Sequence, residues 1–455
     1  MRPGLWNKGI LMEDFLQKLN AYYEDPFNRE YALNAWYDLI RIPSVSGTGD
    51  PVVACADHIC KMLEDLDVEV ERQDLICSPV IVGRCGHDPS KKTVLIYAHY
   101  DVKPSGDRKL WQSEPFEPEE RCGAVFGRGS ADNKGPLAAH IQALRYYRQA
   151  GIELPVNLIF LFEGDEEAGS KGLEEFLLER QDELQADLVF FSDGPRDPSG
   201  LPIIALGAKG CFSMNIRIQS LSHDVHSRYA PVLPSAAWRL VRLLSQLKDG
   251  DQVLVPGFYD GIIPFTEEEE NLITSLPSSE EELNNQYNAV SGHYGKDFYL
   301  RLFGAPTFNI NQIHTGANGV VPACAEAQLD IRLVPGQKPA HIKEIIRSYI
   351  QDALGYTDAE IEFSAGLLPS KTPLDTPYLP AIIHACQQIY GEYVVYPCRP
   401  SSAPDYLWTD VLKLPALQVR WADLDSNNHA PNEHLSVKEY FDGIALTAYL
   451  FHIIS

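Results

Sequence analysis

Four apolar runs in this chain each stop at carboxylate or imidazole residues, and that repeated pattern constrains the fold more than any other feature. Thr93 to Tyr97 runs into His99-Tyr100-Asp101, and a second, shorter run ends at Asp132-Asn133 just before a helix-like segment. Val156 to Phe162 is followed by Glu166-Glu167, and Asp187 to Phe191 by Asp193. Short continuous apolar runs bounded by polar breaks predict strands covered on both faces. In open α/β sheets ligands bind at the carboxyl ends of strands, so all four breaks are expected to deliver side chains to one place. Four acidic groups fall within five residues from Glu163 and would repel one another without a cation. Much later, SNNHAPNEH supplies His429 and His434 in a polar, proline-containing loop. Neutral imidazole with carboxylates and no thiolates suits zinc, manganese or a mixed divalent pair better than a structural zinc cage.

The spacing of the other elements gives a domain plan. With 455 residues, 45% of them hydrophobic, the chain is long enough for two or three domains. Residues 13–206 read as alternating strands and helices around a doubly wound sheet. The pattern then changes: Cys211 to Ser220 and Glu326 to Pro335 alternate with period two, while Ala236 to Leu247 and Ile342 to Leu354 read as helices. Half-exposed strands alternating with helices predict a small α+β unit of the split βαβ type. TEEEENLITSLPSSEEELNNQ is expected to be a solvated helix pair, and Lys371 to Pro380 a hinge. The expected division is a discontinuous catalytic domain, 1–206 and 374–455, interrupted by an inserted domain, 207–373.

Charge and cysteine usage narrow the setting. A net charge of −25, from 63 acidic and 38 basic residues, argues against nucleic acid or an anionic membrane as partner. Nine scattered cysteines without a CxxC pair read as free thiols in a reducing compartment. The N-terminus lacks the apolar run of a signal peptide, and no segment approaches the length of a membrane span. A cytoplasmic protein is expected, with Met12 as an alternative start and the first eleven residues disordered.

Taken in order, IRIPSVSG from Ile40, the HYDVKP and ADNKG segments, EEAGSKGLEEF from Glu166, SDG, IRLVPG and NHAPNEH resemble the aminoacylase and carboxypeptidase family of dinuclear metallopeptidases, and most closely its cytosolic, carnosinase-type dipeptidase branch. The resemblance implies a zinc-peptidase-like α/β catalytic domain with a mixed, doubly covered sheet, and an inserted α+β, ferredoxin-like dimerisation domain. It implies two divalent ions per chain, zinc first with manganese or cobalt as alternatives. His99 and Asp193 would complete one site, Glu167 and His429 the other, with Asp132 bridging both. Glu166 would be the general base, and Asp101 the carboxylate that fixes the His99 tautomer. The bond after the bridging aspartate, Asp132-Asn133, would be cis. Arg332 would clamp a substrate carboxylate through its bidentate guanidinium, with Ser402 nearby. His226, in an HSG-like motif that here continues with Arg228, would reach the active site of the second copy in a homodimer. His434 is expected to solvate or cap.

Such a pair of ions lowers the pKa of a water held between them, so that it serves as hydroxide, and polarises a scissile carbonyl. The expected activity is hydrolysis of dipeptides or short peptides with a free carboxyl terminus. The rivals are an N-acyl amino acid deacylase, acetyl or succinyl, and a catalytically silent scaffold. Asn133 and Gly319 depart from the family pattern, which carries an acidic residue and a threonine there, and both bear on substrate preference.

Overall fold

The computed structural model describes residues 5–289 and 294–454. The chain divides into two compact units: Met1–Leu206 with Thr372–Tyr396 and Leu407–Ser455, and Gly207–Lys371 with Pro397–Tyr406. Among the described residues, no helix is long and apolar enough to cross a membrane.

The first unit opens with three helices, Leu5–Glu24, Pro26–Arg41 and Asp50–Glu64, where alternating strands and helices were expected. The first of them also begins well inside the stretch expected to be disordered. The second starts where Asp25 accepts hydrogen bonds from the Phe27 and Asn28 amides, with Pro26 preset for the first turn. It buries Ala32, Trp36, Leu39 and Ile40.

An eight-stranded mixed sheet follows, in the order Glu69–Asp74, Pro79–Cys85, Asn157–Glu163, Thr93–His99, Leu188–Phe191, Ala416–Arg420, Ile203–Ala205, Val394–Tyr396. Asn157–Glu163 and Leu188–Phe191 are buried at every position, and Thr93–His99 at all but its first. That explains why these strands read as unbroken apolar runs. The three are parallel neighbours, with His99 opposite Glu163 and Tyr97 opposite Phe191. Parallel pairing in this register brings three of the four polar breaks to the same edge.

The fourth break differs from expectation. Asp132 does not end a strand of this sheet. The preceding strand, Ala124–Phe126, belongs to a separate three-stranded sheet with Glu119–Arg121 and His434–Ser436. The chain then turns through Gly129, at φ +86°, and Asp132 sits just before the helix Lys134–Gln149. The turn's amides have no ladder partner and go instead to a distant carboxylate, described below.

The second unit is built on a four-stranded antiparallel sheet, in the order Thr307–His314, Cys324–Leu333, Gly210–Gln219, Glu360–Phe363. Met214, Ile216 and Ile218 pack in one core with Leu240 and Leu243 of the helix Ala236–Leu247 and Ile342 and Ile346 of the helix Pro339–Ser348. The alternate strand positions stay partly or fully exposed, which accounts for the period of two. The acidic segment does form two helices, Glu267–Thr274 and Glu280–Tyr287, but it is not simply solvated. Glu269 is buried, closes a capping box with Thr266 and pairs with Lys371 at 2.8 Å.

One close approach in the first unit positions the site. Tyr100, between His99 and Asp101, is fully buried, and a Cβ on Gly164 would lie 2.6 Å from its ring. Gly164→Ala is therefore expected to cost about 1–3 kcal/mol by overpacking. The check is the urea midpoint of unfolding; an unchanged midpoint would mean that the Tyr100 ring yields freely.

Candidate metal centre

His99 closes its strand, while Glu166 and Glu167 lie on a single turn of 3-10 helix, Glu166–Ala168, after Asn157–Glu163. Asp193 follows Leu188–Phe191 by two residues. His429 arrives from a loop in which Asn427, His429 and Asn432 all adopt positive φ, a conformation that asparagine and histidine reach more readily than most residues. Asn432 pins this loop, accepting from the Gln112 amide at 2.8 Å and donating to the Leu110 carbonyl at 2.9 Å.

These segments form two groups of potential metal ligands. His99, Asp132 and Asp193 make one, and Asp132, Glu167 and His429 the other, each with its donor atoms within 4.8 Å of one another. Asp132 belongs to both. Its Oδ1 faces His99 Nε2 at 3.2 Å and its Oδ2 faces His429 Nε2 at 3.1 Å. His429 Nε2 is also 3.1 Å from Glu167 Oε1. Asn428 Nδ2 adds a hydrogen bond to Asp132 Oδ2 at 3.2 Å. The Asp132-Asn133 peptide is cis. Glu166 lies outside both groups.

The charges at this edge call for cations. Burial pushes the Glu166 carboxyl well above the usual carboxylate range; His99 opposes the rise and the Asp193 and Asp132 charges add to it. Burial would also raise Asp132, but the nearby His429 and His99 imidazoles outweigh it and hold that carboxyl low. Burial works against a charge on His99, yet Asp101 and Asp132 lift it well above the ordinary imidazole value. His429 is lifted to about 10 by Asp132 and Glu167. His99 Nε2 is buried and has no aligned hydrogen-bond partner, although Asp132 Oδ1 is close. A nitrogen and an oxygen set near each other without sharing a proton fit an ion between them, and the N/O donor set fits a borderline or hard divalent cation.

Asp101 acts more widely than expected. His99 Nδ1 lies 3.1 Å from the Asp101 carbonyl and 3.4 Å from its carboxylate, so the main chain shares in orienting the ring. The buried carboxylate accepts from the Glu166 amide at 3.2 Å, the Glu167 amide at 3.0 Å and Ser46 Oγ at 2.7 Å. It therefore ties the His99 strand end to the turn that carries both glutamates.

Three charged residues that sequence reasoning passed over, Lys103, Arg128 and Glu433, organise the centre, although all lie in or beside its motifs. Glu433, fully buried, accepts from the amides of Gly129, Ala131 and Asp132 at 3.0–3.1 Å and from Arg128 Nη1 at 2.6 Å. Being four residues from His429, it fastens the two loops that supply Asp132 and His429. Lys103 approaches Glu167. The signal available for each was a charged residue in or just beside a quoted segment: Lys103 in HYDVKP, Arg128 shortly before ADNKG, and Glu433 in NHAPNEH.

The second unit holds the remaining candidates. Arg332 Nη1 donates to Ser402 Oγ at 2.8 Å and its Nε to Asp330 at 2.9 Å. His226 is exposed, ends a two-residue strand paired with Val320–Val321, and accepts from the Arg228 amide at 3.1 Å. The Ser227 amide donates to the Gly319 carbonyl at 2.9 Å, so the two departures, Arg228 and Gly319, flank one backbone contact. In the first unit, His434 stacks on Phe126 at 4.6 Å and belongs to neither ligand group.

The profile of peptidase family M20/M25/M40 matches residues 95–452. The chain is 29% identical to a Cys-Gly metallodipeptidase, DUG1, from Candida albicans, over 89% of this chain and 90% of that one. It is 28% identical to the Beta-Ala-His dipeptidase of Homo sapiens, over 83% and 78%. Its fold is similar to the crystal structure of the M20 family metallo-carboxypeptidase Sso-CP2 from Sulfolobus solfataricus, with a TM-score of 0.85, 30% identity, and 93% and 99% of the two chains covered.

The buried Arg128–Glu433 pair gives a test of how this edge is held. Glu433→Ala strips three amides of their acceptor and leaves Arg128 buried without its partner, so a loss of about 3–5 kcal/mol is expected. Urea unfolding measures it; a loss below about 1 kcal/mol would mean that water replaces the carboxylate.

Proposed function

The chain belongs to peptidase family M20/M25/M40, and from that membership we propose that it hydrolyses the amide bond of dipeptides or short peptides with a free carboxyl terminus. The observation that carries the reading is Asp132, with one oxygen toward each of two imidazoles, beside a half-buried Glu166 that belongs to neither ligand group. The relatives named for Cys-Gly and Beta-Ala-His cleavage support a dipeptide as substrate.

In this proposal His99, Asp132 and Asp193 hold one divalent ion and Asp132, Glu167 and His429 a second, zinc by preference, with manganese and cobalt suited to the same donors. Two such ions, when bound, supply the Lewis acidity that polarises a scissile carbonyl and makes water a better nucleophile near neutral pH. Glu166 takes the proton from the attacking water at its carboxylate and returns it to the leaving amine. Its burial beside other carboxylates favours a group that gains and gives up a proton readily. Asp101 holds the His99 ring and the turn of Glu166 and Glu167 in place.

Arg332, oriented by Asp330 and Ser402, is assigned to the substrate's terminal carboxylate, where a planar guanidinium can make two parallel hydrogen bonds. We further assign residues 1–206 and 374–455 to catalysis and 207–373 to dimerisation. His226 would then serve across a homodimer, in a cytoplasmic protein.

A substrate panel tests the reading. Purified protein supplied with zinc or manganese is expected to release amino acids from dipeptides faster than it deacylates N-acetyl or N-succinyl amino acids. The reverse order would replace the peptidase by a deacylase, and no turnover with both ions bound would favour the scaffold. Glu166→Gln should keep the metal content, measured by atomic emission, while turnover falls by roughly 10²-fold or more. Near-normal turnover with intact metal would remove Glu166 from the role of base.

A further inference from the structure

Glu167 faces an imidazole and an ammonium at once. Its Oε1 lies 3.1 Å from His429 Nε2, within the proposed ligand group, and its Oε2 lies 3.1 Å from Lys103 Nζ. The same ammonium donates to the Glu167 main-chain carbonyl. The Glu167 side chain is only 4% exposed, whereas Lys103 is 35% exposed. The carboxylate is thus fixed, while the lysine sits at the rim with solvent within reach. Lys103 follows Asp101 by two residues, and Asp101 accepts from the Glu167 amide. One short segment therefore holds Glu167 by its amide, its carbonyl and its outer oxygen.

We infer that Lys103 is a tethered counter-cation that competes with the metal for Glu167, stabilising the metal-free centre and weakening ion binding at the Asp132, Glu167 and His429 group. This rests on the ligand assignment proposed above. The argument is electrostatic. Without an ion, Glu167 stands among Asp132, Glu166 and Asp193, and a nearby positive charge relieves that repulsion. With a divalent ion bound at Oε1, the same ammonium repels it and draws electron density from its ligand. A carboxylate acceptor beside a ligand raises the ligand's basicity; an ammonium donor lowers it. Because the lysine is tethered, it competes at a high effective concentration that dilution cannot reduce. Lys103 also occupies Oε2, which favours a ligand that uses one oxygen. It is a positioning residue, since it acts through Glu167.

The two halves of the inference predict opposite signs from one substitution. Lys103→Met keeps the length of the side chain and removes the charge. In EDTA, the variant should unfold at a lower urea concentration than the wild type, because Glu167 loses a partner. Titrated with zinc against a chromophoric chelator, it should bind more tightly, by about tenfold, at the step that His429→Ala abolishes, a change within the usual reach of a ligand's hydrogen-bond partner. Lys103→Arg should keep wild-type behaviour in both measurements. A lysine with only a structural role would lower stability and affinity together, and that result would overturn the inference, as would an unchanged affinity. The wild-type titration separates this from the underlying assignment. Two zinc ions per chain, with one lost in His429→Ala, uphold the assignment whatever Lys103→Met does. Fewer than two ions in the wild type would overturn both.

Discussion

Repulsion among Asp132, Glu166, Glu167 and Asp193 sets the terms on which the carboxyl edge of the large sheet can form. At separations of a few ångströms and away from bulk water, like charges cost far more than they do at a surface. The chain meets this cost in two ways. Asp101 and Glu433, which are equally buried, take their hydrogen bonds from backbone amides, with Ser46 or Arg128 completing the set. They behave as fixed anchors. The carboxylates of the two ligand groups instead have imidazoles arranged around them. The division is between acids that hold the backbone and acids held ready for a cation.

The anchors explain how loops from opposite ends of the chain meet with enough accuracy. The Asp132 carboxylate keeps each oxygen toward a different imidazole, and a small rotation would break one of the two contacts. Glu433 fixes the main chain at Asp132 itself, and Asn428, beside His429, holds one of the Asp132 oxygens. The side chain and the backbone of Asp132 are therefore restrained by the same distant loop.

Much of this was legible in the sequence because its signals are local. Unbroken apolar runs ending in His99, Glu166-Glu167 and Asp193 mark parallel, doubly covered strands, and the period-two strands around Met214 and Leu329 mark a sheet with one open face. Asp132 was identified as a site residue but placed at the wrong kind of element, since the turn that carries it is organised by Glu433, some 300 residues away. Nothing in the spacing around Asp132 encodes that partner. The opening helices were missed for a related reason: they owe their order to packing against distant elements, such as Trp36 stacked on Tyr440. The Lys103 contact was missed because a lysine in a surface-like motif reads as solvated.

The second unit takes chain from two separated stretches, Gly207–Lys371 and Pro397–Tyr406. The shorter stretch carries Ser402, which meets Arg332 and the Gly210 carbonyl, and its Arg399 amide donates to Gly207. A gene fragment cut at the boundaries of the long stretch would therefore encode an incomplete unit, with the Arg332 guanidinium short of one acceptor. Recombination that exchanged this unit between relatives as a single cassette would break the pair, unless the ten residues around Ser402 travelled with it. The two stretches are thus bound to a common inheritance, and a change at Arg332 is most readily tolerated alongside a matching change at Ser402.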